Sequence, residues 1–427
     1  MKPVEAVLIG AGQRGREAVG EYARKNPDKL KFIAVVEPDE GRRKLFAEIH
    51  NIPEEKRYTD YREFFKESRI APLCFNATMD SHHEESAMMA LEKDYDLFLE
   101  KPMTPTPEGC LRILEMAKKR KRLVQICHPL RYTNFYTKIK ELLEEKSIGD
   151  VISISMFENV AYWHYAHSFV RGNWGKEEES GPFILTKCCH DMDIAVWMAD
   201  SSPEHVSSFG DLKFFHSGNA PEEAPPRCTD GCVVEDTCPF YAPAVYLTEN
   251  IEWPVSAVSL DKSLEARRKA LEEGPYGRCV FKCGNDVVDH QTATINFENG
   301  VIASFSVYAN SFYPYRSIRI IGTGGEINGH LEKREISVLR FGQGCGDWFG
   351  NSPEPEIIET EPMYGGHGGG DTGVVNHFLE CYHNNDHDQM MNSLEIAVNG
   401  HLLSFALEEA RRRKETIAIR GFRERNS

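Results

Sequence analysis

The sequence predicts an α/β protein in which a doubly wound parallel sheet comes first and a second α/β domain follows. Three observations predict this class. Strands and helices alternate over the first third of the chain, a glycine-rich turn joins the first strand to the first helix, and several later strands alternate apolar with polar residues. The 427 residues suffice for roughly two or three domains.

Strand-like apolar runs and helical segments follow one another along the first third of the chain. The strand-like runs are residues 4–10, 31–36, 72–78, 96–100 and 122–127. The helical segments are residues 16–25, 84–94 and 107–121. This alternation is typical of parallel strands with helical crossovers, so we expect residues 1–128 to form one doubly wound domain.

The glycine-rich turn predicts a dinucleotide site. Gly10, Gly12 and Gly15 fit the spacing G-x-G-x-x-G, with Gln13 and Arg14 inside it, directly after a strand and at the start of a helix. Gly10 would allow the tight turn and Gly12 the approach of a pyrophosphate, which the N–H groups at the helix start would bind. The alternative is a glycine turn without a ligand.

A carboxylate follows at the end of the second strand. Glu37 lies about twenty residues beyond the glycine turn, where an acidic side chain accepts hydrogen bonds from ribose hydroxyls. Because this carboxylate would repel a 2′-phosphate, we expect NAD as the cofactor. Arg42 and Arg43 lie just downstream and leave NADP open.

Two more strands of the same sheet end in polar residues. The segment CFNAT ends at Thr78, and FLEKP ends with Glu100 and Lys101. Strand ends in an open parallel sheet face the ligand crevice, so these residues should line the nicotinamide side. Pro102 restricts Lys101 to extended or turn geometry and so aims its ammonium. The alternative is a solvated lysine before a helix-initiating proline.

Five pieces of the chain resemble the Gfo/Idh/MocA oxidoreductases: GAGQRG, NATMDSHHEESAMMALEKDYDLFLEKP, HPLRYTNFYTKIKELL, RGNWG and CCHDMDIAVW. The resemblance covers almost the whole chain. It implies a Rossmann domain at residues 1–128 and, at residues 129–427, a substrate-binding α/β domain with a large, open and mostly antiparallel sheet. It also implies that the Glu-Lys-Pro lysine touches nicotinamide and substrate hydroxyl, often with a cis peptide to the proline.

The cofactor-binding residues follow from the glycine turn, the strand ends and the resemblance together. They are Gly10, Gly12, Gln13, Arg14, Gly15, Glu37, Thr78, His82, Glu100 and Lys101.

The segment LTKCCHDMDIAVWMAD predicts an amphipathic helix that carries catalytic groups. Thr186, Lys187 and His190 are three or four residues apart and share one face. The resemblance makes His190 the proton acceptor. Most relatives have an aspartate where this chain has Thr186, so Lys187 is expected to supply a polar contact instead. Asp191 and Asp193 would either orient His190 or be solvated.

Three segments are candidates for substrate binding. They supply Arg131 and Tyr132 in RYTNFY, Arg171 and Trp174 in RGNWG, and His367 in GGHGGGD. Glycines let a backbone approach a ligand, although a flexible loop before a helix is the alternative for the last segment. A tryptophan suits stacking on a pyranose face, although aromatic side chains also simply pack.

Residues 217–283 form a cysteine-rich insertion in the second domain. Cys228, Cys232, Cys238 and Cys283 could converge on a structural zinc ion as four thiolates, and Cys279 lies nearby. The alternative is free thiols, as expected in a reducing compartment.

Composition limits the partners. Fifty Lys and Arg against 66 Asp and Glu give a formal net charge of -16, which disfavours nucleic acid because phosphate binding needs clustered basic side chains. No apolar run approaches the ~18 residues of a membrane helix, and the N-terminal segment predicts a strand, not a signal peptide. We therefore expect a cytoplasmic protein, no membrane partner, and a homodimer or homotetramer.

These residues predict an NAD-dependent dehydrogenase that oxidises a secondary hydroxyl of a sugar, glycoside or cyclitol. His190 would accept the hydroxyl proton and Lys101 would polarise the same oxygen. One alternative is a glycosidase that oxidises its substrate transiently, eliminates the aglycone and retains the cofactor. The other is a catalytically silent dinucleotide-binding protein, since Thr186 departs from the usual pattern.

Overall fold

The computed structural model describes residues 2–342, 353–362 and 365–427, which form two sheets with helices on their faces. The strands are β1 (Val4–Ile9), β2 (Leu30–Val36), β3 (Arg57–Tyr58), β4 (Leu73–Asn76), β5 (Asp96–Leu99), β6 (Val124–Ile126), β7 (Val151–Ala161), β8 (Pro203–Asp211), β9 (His290–Phe297), β10 (Ile302–Ser311), β11 (Tyr315–Gly322), β12 (Gly325–His330), β13 (Glu335–Arg340), β14 (Glu356–Glu359) and β15 (Ile417–Ala418). The helices are α1 (Glu21–Lys25), α2 (Glu40–Ile49), α3 (Tyr61–Phe64), α4 (His83–Glu92), α5 (Pro107–Arg120), α6 (Asn134–Glu144), α7 (Tyr162–Tyr165), α8 (Glu177–Ser180), α9 (Phe183–Thr186), α10 (Cys189–Ala199), α11 (Ala242–Tyr246), α12 (Leu264–Glu273), α13 (Gly370–Asn384), α14 (His387–Arg413) and α15 (Ile419–Arg425). π-helical turns at Gly15–Gly20 and Ala166–Arg171 precede α1 and follow α7.

The first sheet confirms the doubly wound prediction. Its strand order is β3-β2-β1-β4-β5-β6, and every pair in it is parallel. The strands β4 and β5 are buried along their whole length, as expected when helices cover both faces. The strand order reverses between β1 and β4, which opens a crevice at the carboxyl ends of these strands.

The second sheet has nine strands in the order β14-β13-β12-β11-β7-β10-β9-β8-β15. Only β7 and β10 pair in parallel, so the expected mostly antiparallel sheet is confirmed. Met156 and Phe305 are buried neighbours on one face, whereas Phe157 and Ser306 point to the other. The alternation in the sequence therefore reports a sheet with one covered face and one open face.

Some boundaries differ from the sequence prediction. The later strands are shorter than an alternating pattern suggests: the segment RSIRIIGTGGEING is a hairpin in which Thr323 and Gly324 connect β11 to β12. The edge strands β14 and β15 are too short, at four and two residues, to give a periodic signal.

The helix expected to be amphipathic is divided in two and buried. A break at residues 187–188 separates α9 from α10, and all but one of the residues of α10 are buried. It is buried because α10 packs against both β7 and α14. Its ionisable side chains therefore need partners inside the protein.

The C-terminal helices return to the first sheet. Phe378 of α13 contacts Phe75 and Phe98, with ring centroids 5.9 and 5.8 Å apart, and α14 packs against both α5 and β6. The last sixty residues thus belong in part to the core of the first sheet. Within the described residues, no helix is both long and apolar enough to cross a bilayer.

Candidate active site

Two of the three glycines in the turn are closely packed, and the third has open space beside it. Gly10 has a φ of +86°, and a Cβ there would lie 2.3 Å from the carbonyl oxygen of Ala77. A Cβ on Gly15 would lie 2.1 Å from the carbonyl oxygen of Gly10, whereas one on Gly12 would meet nothing within 4 Å. Strand and helix therefore meet closely while the backbone at Gly12 stays accessible, which suits a dinucleotide pyrophosphate.

Glu37 connects this turn to the end of β2. The Glu37 carboxylate accepts hydrogen bonds from the backbone N–H of Ala11 at 2.7 Å and of Asp39 at 3.0 Å. The side chain is buried at the position expected for ribose recognition. Arg43 donates instead to the carbonyl oxygens of Glu37 and Pro38, at 2.6 and 3.1 Å.

Arg14 joins three segments of the chain. Its Nε donates to Glu100 at the end of β5 at 2.9 Å, and both Nη atoms donate to Asp371 at 2.9 Å. His367 also contacts Asp371, through Nδ1 at 3.1 Å. Burial by itself would raise the pKa of Asp371, yet the charges of Arg14 and His367 lower it below its ordinary value. The glycine-rich segment at residues 365–371 is thereby held against the dinucleotide turn.

Lys101 reaches from the first domain to the second. Its Nζ donates to the carbonyl oxygen of Thr186 at 2.9 Å and lies 5.4 Å from the centre of the Trp174 ring. Trp174 in turn donates through Nε1 to Asp80 at 2.8 Å. The peptide bond from Lys101 to Pro102 is cis. The ammonium therefore lies between the two domains and not in bulk solvent.

Thr186 contacts Lys101 through its backbone. Its Oγ1 donates to the carbonyl oxygen of Pro182 at 3.3 Å, so the hydroxyl is engaged within its own helix turn.

His190 is a buried imidazole with one free nitrogen. Its Nδ1 lies 3.4 Å from Nδ1 of His128, and its Nε2 has no hydrogen-bond partner. Burial lowers the pKa of His190 well below 6.5, and the positive charges of Lys101, His367 and His128 lower it further. His190 is therefore neutral at pH 7, and its lowered pKa makes it a weaker base than a free imidazole. Its ring centroid lies 5.3 Å from that of His367.

His128, Cys189 and His190 form a cluster of potential metal ligands. One ligand atom each of His128, Cys189 and His190 lies within 4.8 Å of the other two, the only such trio of His, Cys, Asp or Glu in the described part of the chain. The three atoms are buried and have the chemistry of a transition-metal site. His128 was missed from the sequence, although it directly follows β6 at the carboxyl edge of the sheet, where the strand-end rule would have selected it.

The acidic residues of α10 are neither solvated nor paired with His190. Arg316 donates through Nε to Asp191 at 2.8 Å and lies 2.7 Å from Glu158. Lys187 lies 3.0 Å from Glu158 on the same network. Arg131 donates two hydrogen bonds, at 2.7 and 2.9 Å, to Asp193. These pairs neutralise the charges that the buried helix brings inside.

The sequence-predicted site residues therefore fall into two groups. In the first, Lys101 contacts Trp174 and the carbonyl of Thr186, and the rings of His190 and His367 lie 5.3 Å apart. In the second, the polar atoms of Arg131, Tyr132 and Arg171 are used within the protein. Tyr132 lies with Gln125, His377 and Ser393, at 3.2–3.4 Å, while Arg171 donates into the insertion.

His82, predicted to bind the cofactor, and its neighbour His83 lie in different environments. His82 is exposed and its Nδ1 lies 3.4 Å from the hydroxyl of Tyr61. The buried neighbour His83 contacts the carbonyl oxygens of Pro102 at 2.7 Å and Thr78 at 3.1 Å. His83 thus holds two strand-end loops together. The adjacent pair of histidines was the available signal, but only packing distinguishes them.

The insertion brings four cysteines together, but not the expected set. Cys228, Cys232, Cys238 and Cys279 line one small cavity. Cys283 does not line it, and its Sγ donates to the carbonyl oxygen of Cys279 at 3.2 Å.

Both domains of the chain match families of known proteins. Residues 4–128 match the profile of an oxidoreductase family with an NAD-binding Rossmann fold, and residues 136–328 match the GFO/IDH/MocA C-terminal domain. The chain belongs to the GFO/IDH/MocA oxidoreductase family. The resemblance drawn from the sequence is thereby confirmed, and the first domain of this family member is an NAD-binding domain.

Individual relatives of this GFO/IDH/MocA protein are distant. The putative oxidoreductase YteT of Bacillus subtilis is 26% identical over 339 residues, which cover 77% of this chain and 76% of YteT. The inositol 2-dehydrogenase of Salmonella typhimurium is 24% identical over 207 residues, 48% of this chain and only 57% of that enzyme. The solved structure of levoglucosan dehydrogenase with NADH and L-sorbose has a TM-score of 0.70 at 16% identity and covers 98% of this chain and 99% of its own.

The buried histidine predicts how stability depends on pH. Because burial lowers the folded-state pKa of His190, the unfolded chain binds a proton there that the folded protein does not. Stability is therefore fully present above about pH 6.5 and is lost as pH falls below it. We expect the urea midpoint to fall on acidification, and His190→Gln to weaken this dependence.

The control for this prediction is His205→Gln, which changes an exposed histidine on β8 and should leave the pH dependence unchanged. Identical pH profiles for wild type and His190→Gln would contradict the assignment.

Proposed function

We propose that this protein is an NAD-dependent oxidoreductase that transfers hydride between the cofactor and a secondary hydroxyl of a sugar or cyclitol. The observation that carries the proposal is the contact of Lys101 with the segment that carries His190. The Lys101 ammonium donates to the carbonyl oxygen of Thr186, four positions before His190, and Nε2 of His190 has no hydrogen-bond partner.

Each of the two groups has one task in this reaction. NAD, when bound, supplies the carbon that accepts hydride. His190 accepts the hydroxyl proton through Nε2, since this nitrogen has no other partner and the ring is neutral at pH 7. Lys101 donates a hydrogen bond to the same oxygen and stabilises the negative charge that develops there. The carbonyl of Thr186 and the ring of Trp174 hold the ammonium in place. Lys187 is engaged by Glu158, so we assign it no proton transfer.

The glycine turn and Glu37 support NAD as the cofactor. The accessible backbone at Gly12 would receive the pyrophosphate, and the buried carboxylate of Glu37 would accept from the ribose hydroxyls. A 2′-phosphate would meet this carboxylate at close range and be repelled.

Aromatic side chains support a ring-shaped substrate. Trp163 and His164 follow β7, and Trp253 of the insertion lies 5.5 and 4.8 Å from their ring centroids. Burial lowers the pKa of His164, and the positive charges of Lys187 and Lys101 lower it further. Aromatic faces pack well on the C–H face of a pyranose or cyclitol. The relatives named for inositol and levoglucosan oxidation act on molecules of this class.

Replacing Lys101 tests the assignment. Lys101→Met removes the ammonium but keeps the length of the side chain, so we expect kcat to fall about 10²–10⁴-fold while NADH binding is retained. Turnover would be followed as NADH absorbance in a sugar and cyclitol screen, and binding as NADH fluorescence. Lys119→Met, an exposed lysine on α5, is the matched control.

The outcome of that screen also separates the alternatives. One NADH formed per substrate oxidised supports the dehydrogenase. Bond cleavage with bound NAD and no accumulating NADH would show that the protein is the glycosidase instead. NAD binding without any turnover would show that it is the catalytically silent protein. A fully active Lys101→Met variant would contradict the role given to the ammonium.

Replacing Glu37 tests the cofactor preference. In Glu37→Gln an amide oxygen can still accept from the N–H of Ala11, but the charge that repels a 2′-phosphate is gone. We expect the ratio of NADPH to NADH affinity to rise about tenfold, equivalent to about 1.4 kcal/mol, measured by fluorescence titration. Glu40→Gln, exposed on α2, should leave the ratio unchanged. Wild-type protein that binds NADPH as tightly as NADH would refute the preference.

A second copy of the chain is proposed to cover the open face of the second sheet. Phe157, Phe209 and Ile302 project from this face with 41, 67 and 50% of their surface exposed, an arrangement that favours a partner surface. Light scattering should give at least twice the chain mass of 48.5 kDa. Phe157→Lys should shift the protein toward the monomer, whereas Leu264→Lys on α12 should not. A monomeric wild type would exclude this interface.

A further inference from the structure

The cysteine-rich insertion contains a cavity whose chemistry is set by sulfur. Cys228, Cys232, Cys238 and Cys279 line it, and apolar side chains such as Val280 make up much of the remainder. The cavity has a volume of about 10 Å³, which suits a single ion and is far too small for a sugar. Neither Lys101 nor His190 lines it.

Backbone hydrogen bonds join two segments of the insertion that are distant in sequence. Arg227 and Arg278 form an antiparallel bridge. Next to it, the N–H of Cys228 donates to the carbonyl oxygen of Gly277, and the N–H of Cys279 donates to that of Pro226, both at 2.8 Å. Cys228 and Cys279 therefore lie diagonally across this bridge, each opposite a residue of the other segment.

The other two thiols are brought in by a turn. The N–H of Glu235 donates to the carbonyl oxygen of Cys232 at 3.2 Å, and the N–H of Cys238 donates to that of Val234 at 2.9 Å. These bonds fold the chain back after Cys232, so that Cys238 returns to the same cavity. Each pair of cysteines therefore has its own local framework.

A buried positive charge at the cavity has no carboxylate partner. Arg171 is 1% exposed and also lines the cavity. Its guanidinium donates to the carbonyl oxygens of Arg278 at 2.8 Å and Phe240 at 2.6 Å, and Nη2 lies 3.5 Å from Sγ of Cys228. Among residues 2–342, 353–362 and 365–427, no carboxylate forms an ion pair with Arg171. A buried cation needs a compensating negative charge.

We propose that Cys228, Cys232, Cys238 and Cys279 bind one zinc ion as a structural centre of the insertion. Four thiolates and Zn²⁺ carry a net charge of about −2, in a closed four-coordinate site. This anionic centre would supply the partner that Arg171 lacks.

Zinc binding requires a local rearrangement of the side chains. A Zn–S distance of about 2.3 Å with tetrahedral geometry places the sulfurs about 3.8 Å apart. In the described part of the chain no three of these four sulfurs lie within 4.8 Å of one another. The cysteine side chains therefore turn inward when the ion binds, while the main-chain bonds that present them persist.

The small core of the insertion gives the ion its structural role. The cluster specific to this region contains five buried hydrophobic residues: Cys228, Ala242, Tyr246, Val255 and Leu271. Phe240, Val280 and Phe281 of the same insertion pack into the main core of the protein, and the zinc ion would add to this packing. The zinc ion would therefore fix the segments that carry Trp253 and Arg171 relative to the second sheet.

Metal analysis of the purified full-length protein tests the proposal. We expect about one zinc per chain by mass spectrometry of the metal content, and loss of most of it in Cys228→Ser and Cys279→Ser. Cys283→Ser is the matched control, because Cys283 belongs to the same insertion but does not line the cavity; it should retain zinc. NADH binding by the variants reports whether the first domain remains folded.

A measurement on the wild type keeps the test independent of variant folding. Titration with an organomercurial should release one zinc as about four thiols react, detected with a metal-sensitive dye. Wild-type protein without metal, a disulfide among the four cysteines, iron with acid-labile sulfide, or equal zinc loss in Cys283→Ser would each overturn the assignment. None of these results bears on the proposed dehydrogenase reaction.

Discussion

The ammonium of Lys101 lies where the two sheets meet, and the geometry of the site depends on how it is held there. The strand β5 ends at Leu99 and delivers the lysine to the crevice, where the carbonyl of Thr186 takes up one of its hydrogens. Trp174 approaches from the second domain and is tied to Asp80 of the first. The contact therefore links the domains, and the charge of Lys101 helps to lower the pKa of His190.

Burial of α10 explains the ion pairs around the site. A helix packed between a sheet and α14 cannot leave Asp191 and Asp193 unpaired, and the arginines at positions 316 and 131 compensate them. Burial raises the pKa of both carboxyls even so, while their arginine partners lower it. With both aspartates engaged, His190 retains a nitrogen without a partner. The same burial that demands the ion pairs thus leaves the imidazole neutral and available.

The second domain contains two notable segments outside its sheet. The segment at residues 365–371 is held on the dinucleotide turn by Arg14 and Asp371, which closes one side of the crevice. The cysteine-rich insertion lies on another side and brings Trp253 to Trp163.

The sequence by itself determined those features that depend on neighbouring residues. The glycine spacing, the order of strands and helices in the first domain, and the lysine at a strand end are local patterns, because backbone conformation and strand direction are encoded within a few residues. Only the tertiary structure decided which side chains meet. Arg14 and Asp371 are 357 positions apart, His128 joins His190 from another domain, and Cys279, not Cys283, completes the set of thiols. Such partners are selected by packing between distant segments, which no local periodicity records.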